Sequence, residues 1–297
     1  METLHAIIGV LFCFFLYSQL AFQFKTGDEL TLYEIDYTTN AELNECANLK
    51  QPFLFDFHHY DNIFQNVSLA DLVDKQGCYD VLLKEVADYH LLKPERLNMI
   101  PLSLNAVNTL VQTDSQPGNY FSWNNKAFIN ESGLLKHFQQ FDVLLKTPLC
   151  VSQNYDVVFG AQTPLSYHTF ERKYVYAVGG NIKVKMTLWR SNKYMTVDKL
   201  YKPYEFVSPL NVWNPQSQYE NGYHKMKFLD VTIPHGHVLF IPPYWFYSMR
   251  MDTNTVAYEF NYGSVMNVVS NTSNLVKHVY DKFGLPSLQD FKGTTVL

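Results

Sequence analysis

The chain has 297 residues, of which 47% are hydrophobic and 16% aromatic, and its formal net charge at pH 7 is −5. A chain of this length buries a large core, and an aromatic content that includes 21 Tyr and 22 Phe is typical of β-rich cores. The net negative charge gives no basic patch of the kind that nucleic acid requires, so the composition argues against nucleic-acid binding.

The first predicted element is an apolar segment, Ala6 to Phe22, which contains no charged residue. It reaches the short limit of a transmembrane helix and is long for the core of a signal peptide. No Lys or Arg precedes it, and Gln19 stands where a cleavage site has a small residue. We predict an uncleaved single-pass membrane anchor within residues 1–25; a cleaved signal and a buried helix stay open. Lys25 is the nearest positive side chain, and it places the body in the cytosol.

Cysteines and glycosylation triplets say little about the compartment. None of the four cysteines lies in a C-x-x-C pair, so the sequence predicts neither a zinc site nor a redox pair. Three N-x-S triplets begin at Asn66, Asn130 and Asn271. They would accept glycans if the body faced a secretory lumen, and chance occurrence in an Asn-rich chain is the alternative.

Residues 26–150 predict short strands that alternate with helices. Thr39 with Glu42, and Ser68 with Asp71, have the spacing of a capping box, and each pair predicts the start of a helix. Apolar periodicity predicts the other elements. They are strands at Leu30–Tyr37, Pro52–Phe57 and Tyr79–Val86 and helices at Pro101–Gln112 and Glu131–Leu145.

Residues 151–262 predict one short strand after another, as in a barrel or jelly roll. Gly179-Gly180-Asn181 and Pro234-His235-Gly236 predict tight hairpins. A closing helix is predicted from Val265 to Phe283, with Gly284 as its stop. The predicted strands are Asp156–Gly160, Lys173–Val178, Ile182–Trp189, Lys227–Ile233, His237–Ile241, Phe246–Met251 and Thr255–Tyr262.

Two blocks of this region resemble one enzyme family. Thr163-Pro-Leu-Ser-Tyr-His168 is similar to the T-P-x-H-x-D strand of the JmjC and cupin-8-like hydroxylases, which use iron(II) and 2-oxoglutarate. Asn214-Pro215 and Val231–Met249 resemble the last strands of that family, especially of the branch that hydroxylates an asparagine of hypoxia-inducible factor. The resemblance covers Phe121 to Tyr262. It implies a mainly β fold with flanking helices, a double-stranded β-helix (jelly roll) of the cupin/JmjC type.

The same resemblance implies one domain, residues 26–297, behind the anchor. Its parts are an amino-terminal region of helices and strands (26–150), the β-helix core (151–262) and a carboxy-terminal helical region (263–297).

The family's three iron ligands fall on Ser166, His168 and Tyr247, where the family has His, an acidic residue and His. The first two positions share one face of a strand, which is the geometry that a facial metal triad needs. A hydroxyl is a poor ligand, and a phenol must first lose a proton at a pKa of about 10. We therefore expect no metal and no cofactor, with His168 and Tyr247 hydrogen-bonded to each other instead.

Lys183 and Lys185 are candidates for a contact with the distal carboxylate of 2-oxoglutarate, because the family places a basic side chain on this strand. The alternative is that both are solvent-facing lysines. Fe(II) and 2-oxoglutarate belong only to the alternative of an active enzyme with rearranged ligands.

The sequence has other ligand-type residues that such a rearrangement could use. Glu171 would face the site only if its strand bulged. His235 and His237 lie at the far end of their strand, which predicts a surface pair with at most adventitious metal binding. His58 and His59 end an early strand and could approach the site, but nothing in the sequence pairs them with His168.

The sequence therefore predicts a membrane-anchored, catalytically inactive cupin/JmjC-like protein that binds an unknown protein or small ligand, or acts structurally. One alternative is an active Fe(II)/2-oxoglutarate-dependent protein hydroxylase. Another is a membrane or virion assembly component, because degenerate cupin-like proteins with an amino-terminal anchor resemble some that large DNA viruses encode. Motifs of serine hydrolases, zinc proteases and phosphate-binding loops are absent from the sequence.

Overall fold

The computed structural model describes residues 2–24, 27, 29–58, 68–91, 98–113, 119–197, 205–252 and 254–282. Within these residues the chain is mainly β, with fourteen strands in two sheets and ten α-helices. His59, Asn66 and the end of the predicted closing helix lie outside the described residues.

The helices lie mainly before the strand-rich half and after it. Their bounds are α1 (Glu2–Gln19), α2 (Asn40–Asn48), α3 (Leu69–Gln76), α4 (Val86–Tyr89), α5 (Leu104–Thr113), α6 (Lys126–Glu131), α7 (Leu135–Leu145), α8 (Glu220–Tyr223), α9 (Val265–Ser270) and α10 (Thr272–Lys282).

The strands form a nine-stranded and a five-stranded sheet. Their bounds are β1 (Tyr33–Ile35), β2 (Phe53–Asp56), β3 (Asp80–Glu85), β4 (Ile100–Ser103), β5 (Tyr120–Ser122), β6 (Cys150–Gly160), β7 (Leu165–His168), β8 (Arg172–Val178), β9 (Ile182–Thr187), β10 (Glu205–Ser208), β11 (Leu229–Ile233), β12 (His237–Ile241), β13 (Phe246–Met251) and β14 (Val256–Ser264). The nine-stranded sheet has the order β1-β2-β12-β8-β14-β6-β5-β3-β4, and the five-stranded sheet has the order β10-β7-β13-β9-β11.

At its centre, in β8 and β14, the nine-stranded sheet buries both of its faces. In β8, Tyr174 and Tyr176 pack into an aromatic cluster with the helices, whereas Val175 and Ala177 point toward the five-stranded sheet. This alternation follows from the two-residue repeat of a strand. We call the layer between the two sheets the inter-sheet core.

The amino-terminal helix leaves the body with most of its surface exposed. Thr3–Phe22 is long and apolar enough to cross a membrane, with a mean hydropathy of 1.9 and 6% of its most apolar window buried, a test that a signal sequence also passes. Two hydrogen bonds join its end to the body: Gln19 Nε2 donates to the Ser270 carbonyl at 3.2 Å, and Lys50 Nζ donates to the Ala21 carbonyl at 2.6 Å.

Several predicted elements are confirmed. Thr39 caps α2 by accepting a hydrogen bond from the Glu42 N–H, and Ser68 and Asp71 form both bonds of a capping box at α3. The strands predicted at His237–Ile241 and Phe246–Met251 have the observed bounds.

Other predicted elements are corrected. The turns at 179–181 and 234–236 are not hairpins, because β8 and β9 belong to different sheets and so do β11 and β12. The segment Pro101–Gln112 begins in strand β4 before it turns into α5, and the predicted helix Glu131–Leu145 is divided at Gly133, whose φ is +79°. Two strands, β5 and β10, were not predicted.

Candidate functional site

The structure brings the three predicted ligand positions together in the inter-sheet core. Ser166 on β7 and Tyr247 on β13 are direct register partners, and His168 lies two residues along β7 on the same face. Ser166 is 2% exposed, Tyr247 2% and His168 0%. The three positions that the resemblance implies are therefore neighbours in the folded chain, and they are buried from solvent.

His168 is a neutral imidazole in this site. Its Nε2 lies 3.0 Å from the Ile241 carbonyl oxygen, which can only accept, so Nε2 carries the proton. Burial, reinforced by the ammonium of Lys173, holds the pKa of His168 well below its usual range. The expected hydrogen bond to Tyr247 is not among the bonds of the described residues. The two rings instead meet edge to face, with centroids 6.2 Å apart.

A buried cation, which the sequence interpretation missed, lies beside these residues. The Nζ of Lys173 on β8 lies 2.6 Å from Glu259 Oε2 on β14 and 3.4 Å from Glu205 Oε1 on β10. The same ammonium lies 5.3 Å from the centre of the Tyr247 ring. The inter-sheet core therefore holds an ion cluster contributed by both sheets.

Burial and charge act against each other in this cluster. Burial raises the pKa of Glu259 to about 7, although the Lys173 ammonium opposes the rise. Burial alone would lower the pKa of Lys173, but Glu259, Tyr247 and Glu205 together hold that pKa well above its usual range. Burial likewise raises the pKa of Tyr247, against the effect of Lys173, so its phenol keeps its proton at neutral pH.

Some polar atoms of the inter-sheet core have no hydrogen-bond partner among the described residues. They include both side-chain polar atoms of Asn261 and the Oε1 of Glu259. Asn261 is 0% exposed and is the register partner of Lys173. Unsatisfied buried polar groups cost free energy, so this layer is not optimised for stability.

These residues do not fit an iron(II) centre. Among the described residues of this site, His168 offers one free ring nitrogen, Nδ1, because its Nε2 donates to the Ile241 carbonyl. The phenol is protonated and an ammonium holds the nearest carboxylates, so that nitrogen is the only strong donor among them. Among the residues that the structure describes, the one group of three His, Cys, Asp or Glu side chains with ligand atoms within 4.8 Å of one another is elsewhere, at Asp56, His58 and His237. The inter-sheet core therefore lacks the donor set of a facial triad.

The two lysines proposed for 2-oxoglutarate lie outside the inter-sheet core. In β9 the inward positions are Ile182, Val184 and Met186, so Lys183 and Lys185 point to the outer face. Lys185 forms an ion pair with Asp230 at 2.8 Å. Neither side chain faces the residues around Tyr247.

The remaining ligand-type residues also lie elsewhere. Glu171 accepts hydrogen bonds from the Thr147 hydroxyl at 3.0 Å and the Ser264 N–H at 3.1 Å. The rings of His235 and His237 pack against His58, at centroid distances of 5.8 and 5.3 Å.

A sequence signal for the ion cluster did exist. Lys173 and Glu259 each stand among apolar residues of a strand, at the same parity as the inward-facing Val175 and Ala257. A charged residue at an inward position needs a partner, so the two would have been expected to pair. Glu205 gave no such signal, because strand β10 was not predicted.

No protein-family model matches the chain, and no curated protein matches it at a significant level.

Proposed function

We propose that the chain is a membrane-anchored, catalytically inactive protein with a JmjC/cupin-like double-stranded β-helix, which binds a protein partner or acts structurally. The strand order supports the jelly roll. Strands β6, β8, β12 and β14 lie together in one sheet and β7, β9, β11 and β13 in the other. From β6 to β14 the chain therefore alternates between the sheets, except that β9, β10 and β11 all lie in the five-stranded sheet. Such alternation is typical of a jelly roll built from two Greek keys.

One observation carries the proposal of inactivity: Lys173, Glu259 and Glu205 fill the inter-sheet core beside Ser166, His168 and Tyr247. An oxygenase needs a metal with open positions for co-substrate and dioxygen. Here an internal ammonium takes the place of a bound cation as partner of the carboxylates. A metal would have to displace that ammonium, which has lost its water and holds its charge through these contacts.

The anchor supports a role at a membrane. Side chains along α1, such as Val10, Leu11 and Phe12, are 69%, 61% and 60% exposed, which is costly in water and favourable in lipid. We place the body in the cytosol, as the single nearby lysine favours.

The test uses the untagged full chain purified in detergent. Bound iron is measured by elemental analysis, and succinate release from 2-oxoglutarate is measured after iron(II) is supplied. We expect no succinate release, whereas an authentic 2-oxoglutarate oxygenase in the same detergent releases succinate. Iron at one per chain together with 2-oxoglutarate-dependent succinate would overturn the proposal in favour of the active hydroxylase.

A second measurement tests the location. Membranes from cells that express the full chain are washed with carbonate at high pH, which strips peripheral proteins. The chain is expected in the pellet, and its release into the supernatant would contradict the anchor without bearing on catalysis.

A further inference from the structure

Asp56, His58 and His237 converge at the end of the fold opposite the family's iron position. Asp56 is the last residue of β2, and His237 is the first residue of β12 and its direct register partner. The family's position lies beside Ile241 at the other end of β12, four residues and therefore roughly 13 Å away. One ligand atom from each of the three side chains lies within 4.8 Å of the other two.

The local backbone holds these side chains in place. The Phe57 N–H donates to the Gly236 carbonyl at 2.9 Å, which fixes His58 against the turn before β12. Gly236 has a φ of +79°, and a Cβ at this position would lie 2.3 Å from Nε2 of His58. Only glycine therefore permits both the turn and the approach of the imidazole.

The carboxylate of the cluster is also oriented. Asp56 Oδ1 accepts hydrogen bonds from the His58 backbone N–H at 2.8 Å and from the His58 Nδ1 at 2.6 Å. The Asp56 side chain is 59% exposed and that of His58 is 45% exposed, which leaves a path for an ion from solvent.

The ligand types select a class of metal. Two imidazoles and one carboxylate suit Zn²⁺ and its neighbours in the first transition row, whereas Mg²⁺ and Ca²⁺ prefer oxygen ligands alone. Three protein ligands leave at least one coordination position to solvent.

We propose that Asp56, His58 and His237 bind one divalent transition-metal ion of the Zn²⁺ class, with solvent in the open position. The ion binds Asp56 Oδ1, the oxygen that accepts a hydrogen bond from His58 Nδ1 when no ion is bound. His235 lies beside this set, and its Nδ1 accepts a hydrogen bond from the Gly179 N–H at 3.2 Å, so that nitrogen is not free for a metal. This site is independent of the proposal that the inter-sheet core is inactive.

The experiment is a titration of the untagged full chain in detergent, with Zn²⁺ by calorimetry and with Co²⁺ by visible absorption. We expect one ion per chain. His58→Gln and His237→Gln are each expected to weaken binding by at least about tenfold, since changes even in the second shell of a metal site cost that much. Thermal unfolding of each variant reports whether it remains folded.

His224→Gln is the matched control, because His224 is an exposed histidine on the surface, 70% exposed, next to Glu220 and outside the cluster. It is expected to leave the titration unchanged. Undiminished binding in the His58→Gln/His237→Gln double variant would overturn the site, and so would the absence of any bound ion. Loss of binding in His235→Gln with binding kept in His58→Gln would overturn this ligand set.

X-ray absorption of the zinc-loaded natural chain gives a measurement that needs no variant. We expect nitrogen and oxygen ligands with the scattering of two imidazoles. A sulfur ligand would overturn the assignment, because it would place the ion on one of the free cysteines.

Discussion

The Nζ of Lys173 lies 2.6 Å from the Oε2 of Glu259 in a layer where the two side chains are 0% and 1% exposed. Both charges have lost their water, and the attraction between them repays that loss only in part. An arrangement of this kind specifies which side chains face each other more than it raises the free energy of unfolding.

Removal of Lys173 alone is predicted to be severe. Lys173→Met leaves Glu259 buried with no cation beside it, and we expect the free energy of unfolding to fall by about 3–5 kcal/mol. The double variant Lys173→Met/Glu259→Leu is expected to recover part of that loss, because only Glu205 then remains as a buried carboxylate that has lost the ammonium. Urea unfolding followed by tryptophan fluorescence measures both values.

The matched control is Lys183→Met on the outer face of β9, which should change the free energy of unfolding by no more than about 0.5 kcal/mol. A double variant as unstable as Lys173→Met would show that the ion pair contributes net stability.

Replacement of Asn261 is predicted not to lower the free energy of unfolding, in contrast to replacement of Lys173. Both polar atoms of its side chain are buried without a partner among the described residues. We expect Asn261→Leu to leave the free energy of unfolding unchanged or to raise it by up to about 2 kcal/mol. A loss of stability in the same unfolding assay would mean that the amide has a partner essential to the fold.

His168 predicts a pH dependence whose sign can be worked out. Burial, with the Lys173 ammonium, holds the pKa of His168 well below the ordinary value of 6.5. Above that value both the folded and the unfolded chain have a neutral ring. Below it only the unfolded chain takes up the proton, so the folded state loses stability as the pH falls.

His168→Asn removes this contribution. The free energy of unfolding of the natural chain minus that of the variant is expected to fall by up to about 1.4 kcal/mol per pH unit once the pH drops below about 6.5. Unfolding curves at a series of pH values give the difference. A difference that stays flat across that range would show that His168 titrates alike in both states.

The N-x-S triplets test the side of the membrane on which the body lies. The Asn271 amide is buried and donates to the Asn267 carbonyl at 2.9 Å, so no glycan fits there in the folded chain, whereas Asn130 is exposed on α6. For a cytosolic body we expect no mass that a glycosidase removes. A glycosidase-sensitive shift that Asn130→Gln abolishes, and Asn271→Gln does not, would place the body in the lumen.

The apolar surface of α1 can be tested by charge. Leu11 and Phe15 are 61% and 42% exposed, and an Arg near the centre of a membrane helix costs roughly 2.5–3.5 kcal/mol. The variant Leu11→Arg/Phe15→Arg is therefore expected to move from the carbonate-washed pellet to the supernatant. Leu49→Arg, which changes an exposed leucine outside α1, is the control and should stay in the pellet.

Local sequence signals predicted where strands and helices lie better than they predicted which strands pair with each other. Alternation and the flanking prolines marked β12 and β13, and side-chain caps marked the starts of α2 and α3. Turn chemistry at Gly179 showed that the chain turns, but not that β8 would pair with β12 and β14 instead of β9. Such pairing depends on contacts between residues far apart in sequence.

For the same reason, only part of the site could be predicted from the sequence. The resemblance placed Ser166 and Tyr247 together, and they are register partners. It carried no information on Lys173, Glu259 or Glu205, which meet across three strands. The sequence did not predict that Asp56 lies beside His237, because β2 and β12 are far apart in sequence although they are neighbours in the sheet.

The bond from Gln19 to Ser270 joins the last turn of α1 to the body, and the bond from Lys50 to Ala21 joins the residues directly after α1 to it. One side of α1 is thereby fixed relative to both sheets, and rotation of the helix about its axis turns the body with it. A second helix could pack against different sides of α1. The side that it contacts would therefore determine which edge of the two sheets faces the neighbouring molecule.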